Sequence, residues 1–153
     1  MCYNSGMEKG TYIVFEGVVG TGKTTQSKRL AEDLKKRYPN RPVLWTREPG
    51  GSEIAEAIRA LVQATSFQER MDPICEAYLY AAARAQSLRA VVMPVLKQHG
   101  IVIADRSFCT SVAWQGFGRG LGIDMVLDIN LRAIGECLPN IVLEMDLDPT
   151  IGL

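Results

Sequence analysis

Short apolar runs rich in β-branched residues alternate along the chain with longer stretches of helical periodicity. The runs are apolar enough to be buried on both faces, and Gly, Pro or charged turns bracket each of them. This alternation predicts an α/β fold with a parallel sheet covered by helices on both faces. The predicted strands are Tyr12–Glu16, Val43–Thr46, Ile101–Asp105 and Ile141–Met145.

The stretches between these runs have the residue spacing of amphipathic helices. Leu30 and Leu34 lie four residues apart among Lys and Arg, which places one apolar stripe on a charged helix. Asp72 followed by Pro73 is a typical helix start. The predicted helices cover residues 23–37, 52–63, 72–86 and 89–98.

A glycine-rich stretch, 116–122, separates helical sequence at 108–114 from helical sequence at 124–134. Its composition predicts a mobile connector. No repeat or second domain is evident, so we expect one domain over 11–153. Residues 1–10 are expected to form a flexible lead, in which Met7 is an alternative start.

The composition describes an ordinary globular domain. The 153 residues include 17 Lys plus Arg and 17 Asp plus Glu, with 47% hydrophobic residues. A formal net charge of zero gives no general attraction to nucleic acid or to anionic lipid. No apolar run has the length of a membrane span. Any bound anion must therefore be captured by a local site.

The cysteines and the single histidine give no sign of a metal centre. Cys2, Cys75, Cys109 and Cys137 form no C-x-x-C pair, and His99 is the only histidine. This pattern lacks the ligand spacing of a zinc site. It favours a reduced, cytoplasmic protein in which the cysteines pack as small apolar residues.

A complete G-x-x-x-x-G-K-[ST] motif follows the first predicted strand and precedes the first predicted helix. Its glycines allow backbone N–H groups to surround phosphate oxygens, and the helix start adds a positive dipole end. Lys23 would reach the outer phosphates of a nucleoside triphosphate, and Thr24 would hold Mg²⁺. The predicted ATP-binding residues are Gly17, Val18, Val19, Gly20, Thr21, Gly22, Lys23, Thr24 and Thr25.

An acid and an arginine follow the third predicted strand. In a parallel sheet they lie at the same rim as the phosphate loop, so Asp105 is predicted to support Mg²⁺ and Arg106 to bind phosphate oxygens. A simple ion pair at the strand end is the alternative. GTPases normally carry an N-K-x-D motif, which this sequence lacks, and motor ATPases are larger; small kinases remain.

Four motifs in order resemble those of thymidylate kinases. They are Phe15-Glu-Gly17 leading into the phosphate loop, Thr46-Arg-Glu-Pro-Gly-Gly51, Glu76 to Gln86, and Asp105-Arg-Ser107 continuing to Gly116. The likeness covers about residues 10–153. It implies a three-layer P-loop kinase fold, ATP and Mg²⁺ as cofactors, dTMP as acceptor, and a cytoplasmic homodimer that binds no nucleic acid or membrane.

The resemblance also implies roles for single residues. Lys23 and Arg106 would be catalytic, Arg84 and Arg106 would bind the acceptor phosphate, and Tyr80 would stack on thymine. The implied acceptor-site residues are Arg47, Tyr80, Arg84, Arg106, Ser111, Trp114 and Gln115. Alternatives stay open: Tyr80 and Trp114 as core packing, Arg84 as a solvated charge, and Ser111 bonded to its own helix.

Two departures from the family pattern stand out. Val19 occupies a position where these kinases usually carry an acid, and an apolar side chain accepts no hydrogen bond from an acceptor. The sequence given also ends at Leu153, before the arginine-bearing lid and edge strand of the family. We therefore expect a fragment of a longer protein, with a shortened gene product as the alternative.

These features predict a kinase that transfers the γ-phosphoryl of ATP to dTMP. One rival is a deoxynucleoside kinase, which would need a carboxylate base near the first strand, where Glu16 lies. The other is a nucleotide-binding remnant without turnover, which Val19 and the early end favour.

Overall fold

The computed structural model describes residues 10–148 of the 153-residue chain. The predicted lead therefore lies outside the described residues except for Gly10, and so do residues 149–153.

Four parallel strands form one sheet in the order β2-β3-β1-β4. β1 pairs with β3 so that Phe15 is opposite Asp105, and β2 pairs with β3 so that Arg47 is opposite Asp105. The carboxyl ends of three strands thus meet at one rim. The strands are β1 Thr11–Gly17, β2 Val43–Arg47, β3 Ile101–Asp105 and β4 Ile141–Met145, which confirms all four predicted positions.

Helices connect the strands and begin where the sequence places caps. Ser52 accepts a hydrogen bond from the Ala55 N–H at the start of α2, and Asp72 does the same for Ile74 and Cys75 at the start of α3. The α-helices are α1 Lys23–Arg37, α2 Glu53–Val62, α3 Pro73–Ser87, α4 Met93–Lys97, α5 Phe108–Ser111 and α6 Ile123–Ile134.

Two π-helical segments correct the predicted helix boundaries. Leu88–Val92 joins α3 to α4, so the predicted helix at 89–98 does not start afresh. Val112–Gly118 continues α5 into the glycine-rich stretch, so residues 116–118 of the predicted connector are helical. The remaining turn is tied down by backbone bonds, of which Gly122 N to Gly116 O measures 3.0 Å.

Two apolar clusters hold the sheet between its helices. On one face, Phe15 and Ile103 pack with Ala31 of α1. On the other, Val14 and Val102 pack with side chains of the π-helical segment 88–92 and of α6. The three-layer arrangement predicted from the alternation is confirmed.

β4 differs from its prediction of burial on both faces. Its residues 141–144 are exposed, with Val142 at 47%. Among residues 10–148, β4 lies at one edge of the sheet beside β1, and its side chains 141–144 are exposed rather than packed in either apolar cluster. An apolar run alone does not distinguish a central strand from an edge strand. Among residues 10–148, no helix is long and apolar enough to cross a membrane.

The loop after β3 is fastened to the end of β1 by Glu16. One carboxylate oxygen accepts from the Ser107 N–H and hydroxyl, both at 2.7 Å, and the other accepts from the Thr110 hydroxyl at 2.6 Å. The Arg106 N–H donates to the Phe15 carbonyl at 2.9 Å, and Arg106 itself has a left-handed φ of 74°. Glu16 therefore fixes the backbone that carries Arg106.

Replacing Glu16 by alanine is expected to lower the free energy of unfolding by about 1–3 kcal/mol, because it leaves the buried Ser107 N–H without its acceptor. Glu16→Gln keeps one acceptor oxygen and should lose less. Urea unfolding followed by circular dichroism measures both. Glu144→Ala is the matched control, since Glu144 is the register partner of Glu16 but is exposed. Equal losses in Glu16→Ala and Glu144→Ala would contradict the anchoring role.

Candidate active site

The glycine-rich loop after β1 leads directly into α1. Gly22 caps the helix in a left-handed conformation with φ 81°, which an L side chain rarely adopts. A Cβ on Gly17 would lie 2.4 Å from the Met145 carbonyl oxygen. No residue of α1 itself is acidic in the first turn, and the positive end of the helix dipole faces the loop.

Lys23 is folded back along this loop. Its ammonium donates to the Val18 carbonyl and to the Thr21 hydroxyl, the latter at 3.2 Å. Burial, together with the positive charge of Arg106, lowers the pKa of Lys23, while Asp105 and Glu16 oppose that shift. The loop therefore holds a cation close to a second cation.

Thr24 and Asp105 bring two hard oxygen ligands together across the rim. The Thr24 hydroxyl donates to the Asp105 carboxylate, although 81 residues separate them in sequence. Mg²⁺ is bound in kinases through one or two protein oxygens, with phosphates and water completing its shell. Among the described residues no cluster of three or more His, Cys, Asp or Glu side chains is suited to a metal. The pair thus fits a metal that arrives with a nucleotide.

A cavity of about 530 Å³ opens at this rim. It brings together ten of the residues predicted from sequence: Val19, Thr24, Arg47, Tyr80, Arg84, Asp105, Arg106, Ser111, Trp114 and Gln115. The other predicted loop residues, from Gly17 to Thr25, lie beside the cavity rather than in its lining. Arg106 joins the two parts, because its Nη1 lies 3.4 Å from the Gly17 carbonyl oxygen.

The lining of the cavity is rich in positive charge. Three carboxylates, Glu48, Glu76 and Asp105, face six cations in its wall. Such an excess suits an anionic ligand even though the whole chain is neutral. The cations are Lys28, Arg47, Arg59, Arg84, Arg106 and Arg119.

Arg84 is held inside the wall rather than solvated. The side chain is 3% exposed, and its Nε donates to a Glu48 carboxylate oxygen at 2.6 Å. Its Nη1 donates to Asn130, and its Nη2 lies 3.2 Å from both the Ser107 carbonyl and the Ser111 hydroxyl. Four protein acceptors therefore share a group with five N–H donors. The alternative of a solvated charge is wrong for Arg84.

The two remaining arginines of the predicted set are more accessible. Arg47 has a side chain that is 44% exposed and pairs with Glu56 at 3.0 Å. Arg106 is half-buried and contacts the Thr110 hydroxyl at 3.2 Å. Both guanidinium groups border the cavity, where a bound phosphate could replace their present protein partners.

The burial and partners of the aromatic and polar residues bear on the alternatives of core packing and of a hydroxyl bonded to its own helix. Trp114 is 59% exposed and so is not a core residue. Tyr80 is half-buried, and this burial, reinforced by the charge of Glu76, raises the pKa of its hydroxyl. Ser111 bonds to Arg84, and Gln115 donates to Glu76 at 2.6 Å.

Several residues at the site were not singled out from the sequence, and the following three are among those that contact predicted residues. Glu48 is buried beside Arg84, and desolvation raises its pKa while Arg84 lowers it. Glu76 accepts from Gln115 and pairs with Arg119 at 3.1 Å. Both acids lie within the quoted motifs. Asn130, in α6, had no signal beyond being polar at a core position.

Comparison with known proteins places this geometry in a family. The thymidylate kinase family model matches residues 15–153. A crystal structure of thymidylate kinase from Ehrlichia chaffeensis superimposes with a TM-score of 0.83 at 35% identity, covering 93% of this chain and 79% of that one.

Curated relatives agree. The chain is 47% identical to thymidylate kinase of Bacillus licheniformis over 94% of its own length and 66% of the relative's. For the enzymes of Pelotomaculum thermopropionicum and of a Geobacillus species the identities are 45% and 46%, over 63% and 68% of those relatives. The chain thus spans about two thirds of the length of the relatives it matches. With its phosphate loop, its cationic cavity and these matches, the chain belongs to the thymidylate kinase family.

Proposed function

We propose that this chain acts as a dTMP kinase, which transfers the γ-phosphoryl group of ATP to dTMP and yields dTDP and ADP. The observation that carries this proposal is the single cavity at the sheet rim. It joins the phosphate loop, through Thr24 and Val19, to a cationic wall, and its volume of about 530 Å³ is in the usual range for small-molecule sites. Two anionic reactants held at one rim need neutralisation and positioning more than covalent help.

In this proposal the phosphate loop binds ATP. Residues 17–25 wrap the phosphates with backbone N–H groups, and Lys23 exchanges the Val18 carbonyl for phosphate oxygens. Thr24 and Asp105 hold Mg²⁺, which supplies charge neutralisation at the phosphates when it is bound.

The opposite side of the cavity binds the acceptor. Arg106 and Arg47 face the phosphate of dTMP, because they are the accessible guanidinium groups of the predicted set. Tyr80 and Trp114 offer aromatic faces to the nucleoside, and Gln115 is fixed by Glu76. Arg84, engaged on four sides, contributes to the wall with its remaining N–H rather than with an open fork.

The geometry of Glu16 argues against a deoxynucleoside kinase. A general base must reach the hydroxyl from which it takes a proton. The Glu16 carboxylate already accepts three hydrogen bonds from the loop after β3, so most of its acceptor capacity is committed to holding that loop. The predicted homodimer and cytoplasmic location stay predictions, and sedimentation of the purified chain tests the first of them.

The choice of acceptor gives the direct test of the proposal. With ATP and Mg²⁺, dTMP should stimulate ADP release by the purified chain, and thymidine should do so at least about tenfold less, because it lacks the phosphate for which Arg106 and Arg47 are placed. A coupled spectrophotometric assay measures both rates. Lys23→Ala, prepared identically, controls for contaminating kinases and should release no ADP.

The other outcomes are equally informative. Faster release with thymidine would establish a nucleoside kinase instead. ATP binding without release for either acceptor would support a nucleotide-binding remnant. Both tryptophans, Trp45 and Trp114, line the cavity, so intrinsic fluorescence reports nucleotide binding in the absence of turnover.

Arg106→Ala should lower kcat/KM for dTMP by about 10²–10³-fold, the size of effect expected for a donor that stabilises transition-state charge. Arg106→Lys keeps the charge but not the two-pronged geometry, so its loss should be intermediate. Arg132→Ala removes the same charge at a site 79% exposed and should leave kcat/KM unchanged. An unchanged kcat/KM in Arg106→Ala would remove Arg106 from the acceptor site.

A further inference from the structure

Asn130 is a polar residue in an apolar place. It lies in α6 between Val126 and Ala133, and it is 1% exposed. Burying an amide without hydrogen bonds costs free energy, so its partners indicate why it is there. Its neighbours Val126 and Ile134 are themselves fully buried in the core.

Both ends of the Asn130 amide are committed. Nδ2 donates to the Val126 carbonyl one turn earlier at 2.7 Å, which directs Oδ1 away from its own helix. Oδ1 accepts from Nη1 of Arg84, a residue 46 positions away on α3. The orientation of the amide thus follows from the hydrogen-bond pattern, and its one partner outside α6 among the described residues is Arg84.

The surroundings of Arg84 show what this contact adds. Glu48 alone would neutralise the guanidinium, and the pair is 3% and 5% exposed. A buried ion pair is a weak source of stability, because desolvation offsets much of the attraction. Asn130 adds no charge. Glu48 holds Nε, and Ser107 and Ser111 hold Nη2, whereas Asn130 holds Nη1, the nitrogen that carries the remaining N–H of the guanidinium.

We infer that Asn130 is a positioning residue for acceptor binding, which sets the orientation of Arg84 in the cavity wall from the neighbouring helix. This inference rests on the proposed function, in that Arg84 must face the acceptor. Without the Asn130 oxygen, Arg84 keeps Glu48, Ser107 and Ser111 but loses the partner of Nη1, so the nitrogen that carries the remaining N–H is no longer held toward the acceptor. ATP, bound at the loop after β1, should not be affected.

The test compares Asn130→Leu, which removes the acceptor oxygen at similar size, with Asn130→Asp, which keeps it. Asn130→Leu should raise the KM and the Kd for dTMP at least about tenfold, the loss of one hydrogen bond to a charged group, while kcat and the Kd for ATP stay within about twofold. Asn130→Asp should restore most of the affinity for dTMP. Tryptophan fluorescence titrations of the whole chain give both Kd values.

Val126→Ala is the matched control. Val126 lies one turn before Asn130 and is equally buried, but its apolar side chain cannot hydrogen-bond to Arg84. The substitution should therefore lower the melting temperature but leave the KM for dTMP unchanged. If Asn130→Leu does not fold, Asn130→Ala removes the same oxygen with less crowding and is judged by the same measurements.

Each result decides between explanations. Wild-type affinity for dTMP in a folded Asn130→Leu would overturn the inference and leave the proposed function intact. An equal loss in Val126→Ala would also overturn it, because general loosening of α6 would then explain the effect. A wild-type chain that binds ATP but not dTMP would overturn the proposed function, and this inference with it.

Discussion

The parallel pairing of β1, β2 and β3 is the constraint from which the site follows. Parallel strands end on the same side of a sheet, and the register aligns Phe15, Arg47 and Asp105 at that end. The chain closes the rim with two further backbone bonds, from the Glu48 N–H to the Asp105 carbonyl and from the Arg106 N–H to the Phe15 carbonyl. Each loop at the rim is therefore placed by a strand, which gives it the rigidity that a site for two reactants needs.

Buried carboxylates keep those loops in place. Glu16 accepts hydrogen bonds from the loop after β3, and Glu48 pairs with Arg84 on α3. Each carboxylate lies at the end of a different strand, so the sheet holds the helices and loops through charged contacts as well as apolar packing. Apolar side chains in place of Glu16 or of the Glu48–Arg84 pair would cost less desolvation. They would also remove the directional hydrogen bonds that define one arrangement of the cavity.

The sequence predicts those parts of the fold that depend on local pattern. All four strands and the start of α1 were found from periodicity and from the phosphate-binding motif, because both signals are contained in short stretches of sequence. The predicted burial of β4 on both faces was wrong, because the place of a strand in the sheet is decided by partners elsewhere in the chain. The helical course of 115–118 was missed because glycine content signals permissive backbone and not the bonds that the backbone makes.

The site shows the same division. Motifs identify residues whose type carries the chemistry, such as Lys23 and Arg106. Residues that hold other site residues in place are less visible: Asn130 could be any polar helix residue by its sequence context, and its partner Arg84 is 46 residues away. Only tertiary packing brings the two together, and no spacing rule within α6 could indicate it.

One electrostatic feature connects the fold to its ligand. Burial lowers the pKa of Lys23, and the positive charge of Arg106 lowers it further, so both effects disfavour the charged ammonium. Asp105 and Glu16 oppose that shift, and a phosphate between the two cations would oppose it further. Binding free energy that is gained only in the folded state adds to the stability of the fold. The same groups that attract a phosphate would thus be stabilised by it.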